Sequence, residues 1–157
     1  MQMSLAEEVV KLLKNKDMTI TTVESCTGGL LSGTLVDVAG VSDVFHQSYV
    51  TYANEAKQSM VGVKQETLET YGAVSEQTAR EMAEGGAKAA NADAALAVTG
   101  IAGPDGGSKE KPVGLVYIGC YVKGTTIVER NVFKGNRREV REQSVMAALA
   151  LLKKQLQ

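Results

Sequence analysis

Nine residues near the N-terminus organise the predicted fold, and they read Thr21-Thr22-Val23-Glu24-Ser25-Cys26-Thr27-Gly28-Gly29. The β-branched residues at the start of this stretch favour a strand, and the paired glycines let the backbone turn sharply and approach a ligand closely. Residues 30–38 then carry apolar side chains at helical spacing. The stretch predicts a strand, a tight turn and a helix, with Ser25 to Thr27 at the helix N-terminus. Unpaired amides and the positive end of the helix dipole suit an anion there.

Helical and strand-like patterns alternate along the rest of the chain. Strands are predicted at residues 18–23, 44–52, 94–98, 113–122 and 125–133, and helices at residues 5–15, 30–39, 55–60, 64–71, 76–90 and 137–156. Ser4, Asn54 and Ser75 are the predicted N-caps, and Gly40 is the predicted left-handed residue that ends the second helix. The short Lys123-Gly124 link predicts a hairpin and so a mixed sheet. We therefore expect an α/β fold, a three-layer α/β/α sandwich around a mixed β-sheet, in one domain spanning residues 1–157.

Composition narrows the classes of function. The net charge is −1, so no broad basic surface is available to neutralise many nucleic-acid phosphates. The two cysteines, Cys26 and Cys120, do not form a disulfide framework and favour a reducing compartment. No signal-peptide pattern and no apolar stretch long enough to span a bilayer is recognised. We predict a cytoplasmic protein that binds neither nucleic acid nor membrane.

Ser25 is the leading candidate nucleophile. A serine before a helix is more commonly an N-cap, but a hydroxyl between a strand end and a Gly-Gly turn resembles the elbow that exposes a nucleophile beside backbone N–H donors. Lys57 is the preferred base, since partial burial near a helix N-terminus favours its neutral amine. The lone His46 is the weaker candidate base. Tyr52 precedes the helix of Lys57 and is expected to relay a proton or to hold the lysine.

The stretch Thr99-Gly100-Ile101-Ala102-Gly103-Pro104 is the candidate second wall of the site. Its glycine-separated amides suit a phosphate or part of an oxyanion hole, although no P-loop follows. Neither a Cys/His cluster nor a carboxylate cluster has metal-ligand spacing, so we expect no catalytic metal and no cofactor.

Three motifs together resemble the C-terminal domain family of the competence-damage-inducible protein CinA. They are ESCTGG at residues 24–29, YANEAK at residues 52–57 and VTGIAGP at residues 98–104, in the family's order and at matching separations. Stand-alone members of that family are nicotinamide-nucleotide amidohydrolases. The resemblance implies hydrolysis of the carboxamide of nicotinamide mononucleotide to nicotinate mononucleotide and ammonia.

The resemblance also implies roles for individual residues. Ser25, Tyr52, Lys57 and Thr99 would form the polar centre of the site, and Arg137 would lie near the substrate phosphate. Ser48 shares a predicted strand face with Tyr52 and is an alternative nucleophile or a close neighbour. We expect the substrate to contact Thr27, Gly28, Gly29, Ser48, Gly100, Gly103 and Arg137. The family more usually has aspartate where this chain has Asn136, and an acid that orients the arginine would be missing here.

Two other functions remain open at this point. A nucleotide-binding regulatory module would use the same glycine loops and Arg137 without turnover. A thiol enzyme would use Cys26 with His46. Open sheet edges and small-residue helix faces make a homodimer a further expectation.

Overall fold

A computed structural model describes residues 2–157, and five strands form one sheet in its centre. The strands are β1 (Ile20–Glu24), β2 (Tyr49–Val50), β3 (Ala94–Gly100), β4 (Leu115–Val122) and β5 (Thr125–Val132), in the spatial order β2-β1-β3-β4-β5. Strand β1 runs parallel to β2 and β3, whereas β4 is antiparallel to both of its neighbours, β3 and β5. The predicted mixed sheet is confirmed.

Six helices cover the two faces of the sheet. They are α1 (Leu5–Asn15), α2 (Leu30–Val36), α3 (Asn54–Val61), α4 (Gln65–Tyr71), α5 (Glu76–Ala90) and α6 (Arg137–Leu156). The first, second and sixth helices enclose the larger apolar core, and the third to fifth pack on the opposite face. This arrangement is the predicted three-layer α/β/α sandwich. Among residues 2–157, no helix combines the length and the apolar character that crossing a membrane requires.

Alternation along β1 assigns its side chains to the two layers. Thr21 and Val23 face α5, where Gly86 permits a close approach, because a Cβ at Gly86 would lie 2.3 Å from Val23 Cγ2. Glu24 points to the opposite face and bonds to α2. The buried face of helix α5 consists of Thr78, Ala79, Met82, Ala83, Gly86 and Ala87.

Local capping signals located several helices correctly. Ser4 Oγ accepts from the Glu7 N–H and begins α1, and Ser75 Oγ accepts from the Thr78 N–H and begins α5. The hairpin turns at Lys123-Gly124 as predicted, between β4 and β5.

Three predicted boundaries were wrong. Helix α2 ends at Val36, and Gly40 instead precedes a short 3₁₀ helix (Val41–Asp43) that carries the chain back so that Val41 is buried in the core. The strand expected at residues 44–52 is reduced to the two residues of β2. In the described part of the chain this segment pairs only with β1, through β2 at the end of β1 and through one isolated bridge between Phe45 and Ile20. Asn54 is the first residue of α3 and not its N-cap; Ala53 holds that position without a side-chain cap.

Candidate active site

A pocket of about 280 Å³ lies where the carboxyl ends of β1 and β3 meet the start of α3. In a sheet with parallel strands this edge is the usual place for a ligand. The pocket is lined by Ser25, Cys26, Tyr52, Lys57, Ala73, Val74, Thr99, Gly100, Ile101, Ala102, Gly103, Asp105, Gly106 and Arg137. Of the residues expected in the site from sequence, the structure brings together Ser25, Lys57, Tyr52, Thr99, Gly100, Gly103 and Arg137.

Lys57 is buried at the bottom of this pocket, with 1% of its surface exposed. Its Nζ lies 3.1 Å from Ser25 Oγ, and it donates to the Thr51 carbonyl at 2.8 Å and the Tyr52 carbonyl at 3.3 Å. Burial lowers the pKa of Lys57 from 10.5 to about 8, because removal from water penalises the ammonium. The side chain can therefore lose its proton close to neutral pH.

The acceptors around Lys57 fix the direction of its lone pair. A neutral amine has two N–H bonds, and the two backbone carbonyls can only accept. With both N–H bonds directed to Thr51 and Tyr52, the nitrogen lone pair faces the Ser25 hydroxyl. A neutral Lys57 amine in this arrangement can accept a hydrogen bond from the Ser25 hydroxyl.

The turn after β1 presents Ser25. Its backbone N–H donates to the Val98 carbonyl at 2.9 Å and continues the pairing of β1 with β3, and the Gly28 N–H closes the turn on the Ser25 carbonyl at 3.1 Å. Gly28 and Gly29 have φ values of 55° and 103°, which L side chains rarely adopt. The glycines therefore permit the turn, but neither lines the pocket.

The anion predicted at the N-terminus of α2 is the chain's own Glu24. Its buried carboxylate accepts from the backbone N–H groups of Gly29 at 3.2 Å, Leu31 at 2.8 Å and Ser32 at 2.9 Å, and also from the Ser32 hydroxyl. Three of the amides at this end of α2 are thus already occupied. Because α2 begins only at Leu30, Ser25 is not its N-cap.

Two more residues expected to contact substrate lie outside the pocket. Ser48 belongs to the Glu24 cluster, since its Oγ is 3.1 Å from Ser32 Oγ. Thr27 is fully buried, and its Oγ1 has no hydrogen-bond partner within residues 2–157. Like Gly28 and Gly29, these residues are not among those that line the cavity.

Arg137 connects the two sides of the pocket mouth. Its Nη1 donates to the Gly103 carbonyl at 2.8 Å and its Nη2 to the Tyr52 hydroxyl at 3.0 Å. Tyr52, which is 60% exposed, thus holds Lys57 through its carbonyl, while its hydroxyl faces the arginine. Asn136 does not orient Arg137: its side chain accepts from the Glu139 N–H and caps α6.

Thr99 forms part of the wall at the end of β3. Its hydroxyl donates to the Ala73 carbonyl at 2.7 Å, which leaves its oxygen free to accept a further hydrogen bond. Gly100 follows, where a Cβ would lie 2.6 Å from Val116 Cγ2. The backbone can pass there only because the residue is glycine.

The thiol and the histidine do not form a pair. Burial raises the pKa of the Cys26 thiol to about 11, so it stays protonated at neutral pH. His46 is exposed and does not line the pocket. Within residues 2–157, no three His, Cys, Asp or Glu side chains lie close enough together to hold a metal ion.

Sequence reasoning missed roles for Glu24, Asp105 and Arg141. Glu24 belongs to the stretch quoted at the start of the sequence analysis. It is a carboxylate at the end of a strand that is buried at every position, and such a residue needs hydrogen-bond partners. Arg141 lies one helical turn after Arg137, a spacing visible in the sequence. Asp105 lines the pocket from the glycine loop, and nothing in its local sequence distinguishes it from an ordinary turn residue.

Comparisons with known proteins agree with this architecture. A family model for the CinA C-terminal domain matches residues 2–156. The CinA-like protein of Kosmotoga olearia is 53% identical over 153 residues, and a competence-damage inducible protein of Clostridioides difficile is 52% identical over 154 residues. Each match covers 98% of this chain and 37% of the relative. The chain therefore spans little more than a third of the length of these curated relatives.

Solved structures match nearly end to end. A CinA superfamily protein from Klebsiella pneumoniae superposes with a TM-score of 0.94 at 36% identity, covering 97% of this chain and 95% of that protein. The competence/damage inducible protein CihA from Agrobacterium tumefaciens superposes with a TM-score of 0.91 at 42% identity, over 100% of both chains. Sequence and fold agree, and the chain belongs to the CinA C-terminal domain family.

Proposed function

We propose that this protein hydrolyses the carboxamide of nicotinamide mononucleotide to nicotinate mononucleotide and ammonia, with Ser25 as nucleophile and Lys57 as base. The observation that carries the proposal is the buried Lys57 amine, 3.1 Å from Ser25 Oγ inside a pocket. Membership of the CinA C-terminal domain family is compatible with a hydrolase. The substrate is inferred from the three motifs that resemble the nucleotide amidohydrolases.

The first half of the reaction forms an ester on Ser25. Neutral Lys57 takes the hydroxyl proton as Ser25 Oγ adds to the carboxamide carbon. The negative charge on the carboxamide oxygen is stabilised by the Cys26 N–H, the amide that directly follows the nucleophile. The C–N bond then breaks, and Lys57 returns the proton to the nitrogen, which leaves as ammonia.

The second half regenerates the serine. Lys57 accepts a proton from water as the water oxygen adds to the ester carbonyl, and the same proton returns to Ser25 Oγ when the C–O bond breaks. In this proposal the Thr99 oxygen accepts a hydrogen bond from the carboxamide N–H₂ before ammonia leaves, while its hydroxyl donates to the Ala73 carbonyl. Within residues 2–157, Arg137 uses two of its five N–H bonds, so its guanidinium retains donors for the 5′-phosphate.

Ammonia release tests the reaction directly. Purified protein is incubated with nicotinamide mononucleotide in the presence of a chelator, and ammonia and nicotinate mononucleotide are measured in equal amounts. Equimolar products at a rate proportional to enzyme support the proposal. Tight binding of the nucleotide with no ammonia would refute it and would favour a nucleotide-binding regulatory module.

Two small substitutions test whether the Ser25 hydroxyl or the Cys26 thiol is the attacking group. Ser25→Ala should abolish ammonia release, because in the described part of the chain Lys57 Nζ has only backbone carbonyls as its other hydrogen-bond partners. Cys26→Ser keeps the backbone N–H of residue 26 and should retain most of the activity. The opposite result, an active Ser25→Ala variant and an inactive Cys26→Ser variant, would assign the chemistry to the thiol.

A further inference from the structure

Arg141 joins helix α6 to the turn that carries Ser25. Its Nε donates to the Cys26 carbonyl at 3.0 Å and its Nη2 to the Thr27 carbonyl at 2.9 Å, across 115 and 114 residues of sequence. It is not a pocket-lining residue. Two nitrogens of one rigid, planar guanidinium therefore hold two successive peptide units of the turn.

Other bonds hold the two ends of the turn, from the Ser25 N–H to the Val98 carbonyl and from the Gly29 N–H to Glu24, whereas Arg141 holds its middle. The Thr27 carbonyl also accepts from the Leu30 N–H, but within residues 2–157 the Cys26 carbonyl has Arg141 as its only donor. The hydroxyl of Thr27 makes no bond in that part of the chain. Because a peptide plane moves as a unit, holding these two carbonyls also holds the N–H groups of Thr27 and Gly28 and the Cα of Cys26, the residue that directly follows Ser25.

The anchor of Arg141 is itself rigid. Its neighbour Val140 is fully buried, and Ser144 on the next turn bonds to the Val140 carbonyl within the core. Arg137, one turn earlier, holds the opposite wall of the pocket through Gly103 and Tyr52. Helix α6 is thus the element to which both walls of the pocket are tied.

We propose that Arg141 is a positioning residue for the nucleophile: its two-point contact with the Cys26 and Thr27 carbonyls sets Ser25 Oγ at bonding distance from Lys57 Nζ. The proposal rests on the proposed hydrolysis for its kinetic readout. A structural readout that needs no activity accompanies it.

The kinetic test compares Arg141→Lys with Arg138→Lys. The first variant keeps the charge but replaces the fork with a single ammonium, while Arg138 on the same helix is exposed and bonds only to Glu142. We expect Arg141→Lys to lower kcat about 10²-fold, the effect of an ångström-scale misplacement, with KM changed less than about twofold. The rising limb of the pH profile should stay near pH 8, because Lys57 is untouched. Arg138→Lys should behave as the wild type.

The structural test uses the two buried thiols. Cys26 follows Ser25 in the held turn, and Cys120 on β4 is an internal reference far from it in sequence. Release of the turn in Arg141→Lys should raise the alkylation rate of Cys26 at least about fivefold and leave that of Cys120 unchanged. Both measurements use Arg141→Lys, so neither depends on whether Arg141→Ala folds.

The outcomes separate the two proposals. A wild type that releases no ammonia refutes the hydrolysis, while selective exposure of Cys26 would still support the role of Arg141 in the turn. Unchanged kcat and unchanged Cys26 alkylation in Arg141→Lys would overturn the positioning role. A loss expressed in KM with normal kcat would also overturn it, because Arg141 would then bind substrate.

Discussion

The sharpest prediction concerns the pH at which Lys57 becomes a base. With a pKa of about 8, roughly a tenth of Lys57 is neutral at pH 7, half at pH 8 and nine-tenths at pH 9. The value of kcat/KM should therefore rise about fivefold from pH 7 to pH 8 and about tenfold from pH 7 to pH 9, and then level off. A solvated lysine would give a limb that keeps rising beyond pH 10.

The assay is initial-rate ammonia release from nicotinamide mononucleotide between pH 6 and pH 10.5. Lys57→Arg keeps a cation but cannot lose its proton, so this variant should fold, bind nucleotide and fail to turn over. Lys64→Arg is the matched control, since Lys64 is exposed and its side chain is outside the pocket. Near-normal kcat in Lys57→Arg, or a pH limb near 10.4 in the wild type, would refute Lys57 as the proton acceptor.

Stability should report the same pKa independently of activity. Between pH 8 and pH 10.5 the unfolded lysine holds a proton that the folded one has lost, so the free energy of unfolding rises with pH across this window. The gap between the two pKa values corresponds to about 3 kcal/mol. Denaturation of wild type and Lys57→Met at pH 7.5 and pH 10.5 should show the wild type gaining about that amount relative to the variant. A difference that does not vary with pH would mean that Lys57 has its ordinary pKa in the folded protein.

Two further predictions concern Arg137 and Glu24. Arg137→Ala should lower kcat/KM for nicotinamide mononucleotide about 10- to 100-fold more than for the phosphate-free riboside, because a charge-assisted contact worth roughly 1.5–3 kcal/mol is lost only with the nucleotide. Equal losses with both substrates would assign Arg137 to the support of Tyr52 and Gly103 instead. Glu24→Gln should lower the free energy of unfolding by about 1–3 kcal/mol in denaturant titration, since the new amide N–H₂ would face a backbone N–H of α2. The exposed Glu69→Gln is its control, and equal stability of the two variants would contradict the capping role of Glu24.

Local chemistry explains why much of the fold could be predicted. The caps at Ser4 and Ser75 act through groups three residues away, so the sequence window that forms them also displays them. The same is true of the Lys123-Gly124 hairpin. Boundaries failed where the deciding contact was distant: burial of Val41 ends α2 early, and β2 is short because it pairs only with the end of β1.

The sequence predicted individual residues of the site better than the hydrogen bonds that join them. Ser25 and Lys57 were singled out by residue type and position and Arg137 by the family resemblance, and the structure brings all three to one pocket. Glu24 bonds to the amides of α2 because of the way the turn after β1 folds in three dimensions. The alternation of side chains along a strand does not predict that fold of the turn. The bonds from Arg141 to residues 26 and 27 bridge more than a hundred residues, and no local pattern predicts them.

Alternation along β1 also explains how a lysine can serve as the base in this pocket. Glu24 and Ser25 are adjacent, yet the carboxylate turns toward α2 while the hydroxyl faces α3, because successive side chains of an extended chain point to opposite sides. A carboxylate beside Lys57 would favour the ammonium and raise its pKa, whereas burial among two carbonyls and a hydroxyl lowers it. The amides of α2 satisfy the Glu24 charge on the far side of the strand. The end of β1 thus keeps the Glu24 carboxylate away from Lys57, and the neighbour of Lys57 is the neutral hydroxyl of Ser25.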